Sequence, residues 1–289
     1  MSFLRLNTSG PSPVASTTGM ISITTINRVE NPKLNLYCFH WAGGSGSAYR
    51  PLAKELASFG VNVLAVNLPG RNGRGTDKMF RSIGNITEAI YHEIEKFHAE
   101  NKLGVHPTFF FGHSLGGLIS FELTKMIEQK MAENAPEDSA NALRVAKVIA
   151  SAVRSPADLT QHNKEEVPRH TLSDEDLMEY IEKMGGIPAG VDPDIIKMML
   201  PTIKGDYLPF EKYDVGDFGG VLEKLTISCP LTVFVATEDV VQPKNVVDWK
   251  THTTADFQLV EFQSSSHFYL IDEEHKDKFK EKLVHELLG

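Results

Sequence analysis

Residues 107–120 read Pro-Thr-Phe-Phe-Phe-Gly-His-Ser-Leu-Gly-Gly-Leu-Ile-Ser. An apolar run of strand type, Thr108 to Phe111, enters Gly112-His113-Ser114-Leu115-Gly116, and a helical pattern leaves it. The two glycines allow backbone crowding that side chains would forbid, and the sharp elbow lifts a serine hydroxyl clear of the strand top. Ser114 is therefore a candidate nucleophile. The alternative is a solvated serine on a glycine-rich turn, and the rest of the chain has to decide between them.

Outward from this elbow the chain alternates. Strand-like runs are expected at Ile21–Arg28, Leu34–Phe39, Val61–Val66, Thr108–Phe111, Val145–Ser151, Leu231–Ala236 and Phe257–Phe262. They are short and continuously apolar, as in a parallel sheet covered on both faces. Helical stripes lie between them: Tyr49, Leu52, Ala53 and Leu56; Ile83, Ile86, Ile90, Ile94 and Phe97; and, last, Phe279, Leu283, Val284 and Leu287. This order predicts crossover units and a mostly parallel, doubly wound α/β sheet.

One interval breaks the rule. The core is expected over 21–153 and 221–289, and residues 154–220 offer no strand, only two helical segments. The first is Ser173–Met184, with Ser173 and Asp176 spaced as a capping box and Gly185 as the stop. The second is Pro193–Leu200, ended by Pro201. Met178, Met184, Met198 and Met199 fall here, so the insertion reads as an adaptable apolar lid over a pocket, with plain core filling as the alternative. Residues 131–141 read as a polar, solvated loop, and the first twenty residues, rich in Ser, Thr and Pro, as a disordered tail.

Composition narrows the function. A chain of 289 residues with 41% hydrophobic content can bury a large core, and a net charge of −9 argues against nucleic acid or an anionic membrane as partner. No apolar run approaches the roughly eighteen residues that span a bilayer. Two cysteines, Cys38 and Cys229, make no disulfide framework and read as buried hydrophobes in a reducing compartment, with the cytosol expected.

A serine attacks only if a base takes its proton and a third group orients that base. Where a serine elbow crowns an α/β sheet, the chain order is serine, acid, histidine. Of the late histidines, His275 and His285 belong to the last helix and His252 precedes the last strand. His267 follows that strand, at the sheet end where active-site groups converge. The acid is expected just past Leu231–Ala236, where Asp239 is favoured over Glu238. Oxyanion donors are expected from the backbone N–H of Leu115, directly after the serine, and of Ala42 in His40-Trp-Ala-Gly-Gly-Ser-Gly46. That glycine-rich loop could instead cradle phosphate, but it lacks the lysine of a P-loop and the full dinucleotide fingerprint.

These residues resemble a known family, the type II thioesterases, discrete α/β-hydrolases that act beside fatty acid, polyketide or nonribosomal peptide synthases. The similarity runs from Phe39-His-Trp-Ala-Gly-Gly44 through Asn67-Leu-Pro-Gly-Arg71, Phe111-Gly-His-Ser-Leu-Gly-Gly117 and Phe121-Glu-Leu123. It continues through Ser155-Pro156, Gly185-Gly-Ile-Pro188, Asp206, Thr237-Glu-Asp239, Trp249, His252-Thr253 and His267-Phe-Tyr-Leu270. The Thr-Glu-Asp and His-Phe-Tyr-Leu ends look most like the animal medium-chain enzyme. The departures are Ser265-Ser266, where the family carries Gly-Gly, a long polar loop and a long tail.

The resemblance implies an α/β-hydrolase fold with a helical lid, the triad Ser114, Asp239 and His267, and oxyanion donors at Ala42 and Leu115. It implies an acyl thioester on the phosphopantetheine arm of an acyl carrier protein as substrate, with no metal and no cofactor beyond the arm the substrate carries. A monomer is expected, and Arg71, Arg74, Lys78 and Arg81 are candidates to dock an acidic carrier, unless they are ordinary solvated charges. Two other readings stand beside it: a carboxylesterase or lipase of the same fold, and a binding protein that no longer catalyses.

Overall fold

The computed structural model describes residues 20–74, 77–134, 142–187, 191–215, 225–264 and 266–289. The expected tail up to residue 19, residues 135–141 of the polar loop, residues 216–220 of the insertion and Ser265 lie outside the described residues. All seven expected strands form: β1 (Ser22–Asn27), β2 (Leu34–Phe39), β3 (Val61–Asn67), β4 (Thr108–His113), β5 (Val145–Ser151), β6 (Leu231–Ala236) and β7 (Phe257–Phe262). They make one sheet in the order β1-β3-β2-β4-β5-β6-β7, parallel throughout except for the antiparallel edge strand β1.

The apolar runs are continuous because both faces are covered. Tyr37 and Phe39 of β2 join one core with Ile86, Ile90 and Ile94 of α2 (Ile83–Glu100) and with Leu118 and Phe121 of α3 (Leu115–Asn134). Leu36 and Cys38 of the same strand face the other core, with Leu56 of α1 (Arg50–Leu56) and Phe279 and Leu283 of α7 (Lys276–Leu288). Cys38 and Cys229 are both buried and unbridged. α3 runs on to Asn134, so residues 131–134 are helical rather than the start of the expected loop. Among the described residues no helix is long and apolar enough to cross a membrane.

From β2 the chain moves to β3 on one side, then returns to β4 on the other. The loops leaving β2 and β4 therefore diverge, and a crevice opens between them at the carboxyl ends of the strands. That crevice is where the elbow and the glycine-rich loop face each other.

Among the described residues the insertion holds three α-helices where two helical segments were expected. α4 (Pro156–Glu165) escaped the sequence reading because Leu159 is nearly its whole apolar stripe. Its signal was the start: Ser155 caps Asp158 N–H and Pro156 takes the first helical position. α5 (Asp174–Lys183) starts at Ser173 as its spacing predicts, with Asp176 N–H donating to the Ser173 hydroxyl at 3.0 Å. α6 (Pro193–Glu211) does not stop at Pro201 but continues through it and through Pro209. Pro201 lies on the exposed side, where water can take the Lys197 carbonyl that its ring displaces, while Leu200, Ile203 and Asp206 on the inner side hold the helix down.

Candidate active site

Ser114 has φ 54°, the left-handed region that a serine rarely adopts, and its N–H donates to the Ser151 carbonyl of β5 at 2.8 Å. The glycines explain how so tight a turn closes. A Cβ on Gly112 would stand 1.9 Å from the Gly116 carbonyl oxygen, and one on Gly116 would stand 2.1 Å from that of Phe39. The elbow thus exists because two backbones touch where any side chain would wedge them apart. α3 starts at Leu115, so the Leu115 N–H is one of the first-turn donors without an intrahelical partner, at the positive end of the helix dipole.

His267 and Asp239 meet at the carboxyl end of the sheet. His267 Nδ1 lies 3.0 Å from both Oδ1 and Oδ2 of Asp239, with both side chains buried. Because Nδ1 faces the carboxylate, Nε2 is the nitrogen left for a reacting group. Glu238 is exposed and accepts from Gln263 instead. His252 is packed against Phe121 and Trp249 in the core, His285 is exposed, and His275 pairs with Asp272. Ser114 Oγ is hydrogen-bonded to no described residue; it shares with His267 the wall of one cavity of about 140 Å³.

Beneath the pair runs a polar chain that sequence alone did not bring together. His113 Nδ1 is 3.0 Å from Ser151 Oγ, which is 2.5 Å from the Tyr269 hydroxyl, itself donating to the Phe234 carbonyl. The His113 ring packs 5.2 Å from that of His267. Burial holds its pKa well below the histidine range, so a neutral imidazole supports the base from behind.

The insertion grips the loops that carry His267 and Ala42. The His267 N–H donates to the Met184 carbonyl at 3.1 Å, and a Cβ on Gly186 would stand 2.6 Å from the Phe268 ring, so this loop closes only on a glycine. On the other side, Gly43 N–H, next to Ala42, donates at 2.8 Å to Asp206 Oδ2 of α6. The same oxygen takes the Arg71 guanidinium, and both side chains are buried. Burial outweighs the pull of Arg71 and the Gly43 N–H and pushes the Asp206 carboxyl up to about 6, which leaves it ionised at neutral pH. Arg71 is thereby removed from the expected docking patch. Arg74 is engaged with Asp77 and the Met20 carbonyl, while Lys78 and Arg81 are exposed.

The four methionines divide. Met184 lines the cavity, and Met178 packs on the lid's own cluster of Leu177, Ile181, Leu200 and Ile203. Met198 and Met199 are 81% and 39% exposed and do not line that cavity. With Ile196, Leu200 and Ile203 setting the inner stripe of α6 at helical spacing, position 198 falls on the opposite side. The lid, expected to be apolar, also brings polar side chains to the cavity, for Arg154, His162, Asn163, Arg169 and Glu211 share the wall with Val153, Phe210 and Val241.

A serine elbow at the switch point of a mostly parallel sheet, with a His-Asp pair past its last two strands, makes this an α/β-hydrolase. The sequence profile of the thioesterase domain matches residues 34–287, and the chain belongs to the thioesterase family. It is 31% identical over 247 residues to the probable cadicidin biosynthesis thioesterase of Streptomyces griseus, covering 83% of this chain but only 59% of that protein's length. The human medium-chain S-acyl fatty acid synthase thioesterase is 25% identical over 260 residues, 88% of each chain. The solved type II thioesterase BorB, from the borrelidin biosynthetic cluster, superposes with TM-score 0.73 at 26% identity, covering 95% of this chain and 99% of that one. In identity the bacterial relative stands nearer to this chain than the animal one.

Proposed function

We propose that this chain hydrolyses acyl thioesters held on the phosphopantetheine arm of a carrier domain of a polyketide, nonribosomal peptide or fatty acid synthase. His267 takes the proton of Ser114 as its oxygen attacks the thioester carbonyl, and Asp239 holds the imidazole and the charge it gains. The oxyanion is received by the N–H groups of Leu115 and Ala42. The thiol leaves with a proton from His267 to give an acyl-serine. Water activated by His267 then hydrolyses that ester, which restores the serine. The protein supplies no metal and no cofactor of its own, and it works as a single chain in the cytosol. Lys78 and Arg81 are the exposed cations left to meet an acidic carrier.

The observation that carries this reading is the symmetric 3.0 Å contact of His267 with Asp239 on the wall of the cavity that also holds the strained Ser114. The testing experiment is hydrolysis of a series of acyl-carrier thioesters, from acetyl to long-chain, beside the matching oxygen esters. Thioesters should turn over faster, and a fluorophosphonate should label Ser114. A folded protein that is not labelled and turns over nothing would return the binding-protein reading, and a preference for oxygen esters would return the esterase.

A further inference from the structure

The cavity beside Ser114 and His267 has a polar wall that hydrolysis itself does not use. The Tyr207 hydroxyl, on α6, is hydrogen-bonded to no described residue although the side chain borders the cavity. Burial pushes its pKa above the tyrosine range, so it stays a proton donor at neutral pH. The residue is half-buried, and the hydroxyl faces the cavity with no acceptor among the described residues, free to donate to whatever enters it.

Arg169 stands on the same wall, its guanidinium 5.2 Å from the centre of the Tyr180 ring, which lies 6.5 Å from the ring of Tyr207. Its donors reach protein acceptors only at long range: the Val167 carbonyl at 3.4 Å, His162 Nε2 at 3.5 Å, and Glu166 and Glu211 at 3.9 Å each. The Glu211 carboxylate is spent elsewhere, on the backbone N–H groups of Arg169 and His170 and on His170 Nδ1. Arg154 is already paired with Asp158 at 2.7 Å. The wall therefore offers unspent donors, while its formal charges are matched by nearby carboxylates.

We propose that Tyr207 and Arg169 form a subsite for a neutral oxygen on the acyl chain, so that the preferred substrates are keto- or hydroxyacyl thioesters rather than plain alkyl ones. This rests on the thioesterase reading above and names its substrate class. Size sets the scale: a cavity of about 150 Å³ holds a benzene ring, so one of about 140 Å³ suits an acyl group of about six non-hydrogen atoms. A bare alkyl chain filling it would leave both donors facing hydrocarbon, and a site built to bond an oxygen discriminates strongly against the analogue that lacks it.

The test compares kcat/KM for hexanoyl-pantetheine with hexanoyl thioesters bearing a keto or hydroxyl group at carbon 3, 4 or 5, and with the glutaryl thioester. At least one keto or hydroxy substrate should exceed hexanoyl by about tenfold or more. Tyr207→Phe, which removes only the hydroxyl, and Arg169→Met should each shrink that ratio severalfold, with thermal melting used to check folding. A wild-type ratio near one, or a ratio that survives both substitutions, overturns the subsite. A glutaryl thioester faster than every neutral substrate overturns the neutral class. No turnover of any thioester, plain or oxygenated, defeats the thioesterase reading itself and is thereby told apart from failure of the subsite.

Discussion

Asp206→Ala separates what the lid does for stability from what it does for catalysis. The Asp206 carboxylate is the shared acceptor of the Arg71 guanidinium and the Gly43 N–H, and it lies out of solvent. Removing one member of a buried ion pair strands the other charge, at about 3–5 kcal/mol. For a chain of this size that corresponds to a melting temperature lower by about 10 °C, at about 2–4 °C per kcal/mol. Gly43 follows Ala42, so the loop proposed to offer the second oxyanion donor also loses its anchor. Loss of one such donor lowers kcat by about 10²–10³, and Asp206→Ala should approach the lower figure with KM little changed. The double variant Arg71→Met/Asp206→Leu removes both charges, and such replacements are often neutral for stability. It should recover most of the melting temperature but not kcat, because the Gly43 N–H still lacks an acceptor. The assay is thermal melting beside kcat and KM for one acyl-pantetheine thioester. If kcat returns together with the melting temperature, Asp206 does not hold the oxyanion loop and the reasoning fails.

Ser114→Ala and His267→Ala should each lower turnover by several orders of magnitude, with the double variant little worse and Asp239→Asn comparable or milder; His252→Ala should lower the melting temperature but spare kcat, and the reverse pattern between the two histidines would unseat the assignment. Met184→Phe should shift the preferred acyl length because Met184 lines the cavity, whereas Met198→Phe should leave the profile flat, and a shift from Met198 would show that α6 presents another face to substrate. The His98 imidazole, buried beside the Tyr37 hydroxyl, has its pKa lowered to about 4 by burial. A base whose folded pKa is depressed gives stability that is fully present above its unfolded value of about 6.5 and is lost as pH falls from there toward 4. The melting temperature of wild type should therefore drop relative to His98→Phe between pH 7 and pH 4, and a constant difference would refute the neutral, buried histidine.

The strands β2, β3, β4 and β6 were legible because they are buried on both faces, which writes a near-continuous apolar run into the sequence, whereas the edge strands β1 and β7 are partly exposed; Leu34–Phe39, Val145–Ser151, Leu231–Ala236 and Phe257–Phe262 match to the residue. Ser114, Asp239 and His267 drew attention for a related reason, since each lies within five residues of a strand's carboxyl end. What escaped depends on partners far along the chain. Arg71 looks like a surface cation until Asp206, 135 residues later, is folded against it. The outward face of Met198 follows from which side of α6 meets the core, and the extension past Pro201 from the inward anchors beyond it. Arg169 and Tyr207 reach one cavity from two separate segments of the insertion, and no local period announces that meeting.

The two buried cysteines have a practical consequence. Cys38 sits mid-strand with its thiol pushed up by burial, and Cys229 is nearly as enclosed, so neither offers a ready thiolate to a reagent in solution. A thioesterase releases a free thiol at every turnover, and the simplest continuous readout is a disulfide dye that reports it. The enzyme should stay silent toward such a dye until it unfolds. A single cysteine introduced on the lid would then be the one reactive sulfur in the native molecule, ready to carry a fluorophore or spin label that follows the lid's motion.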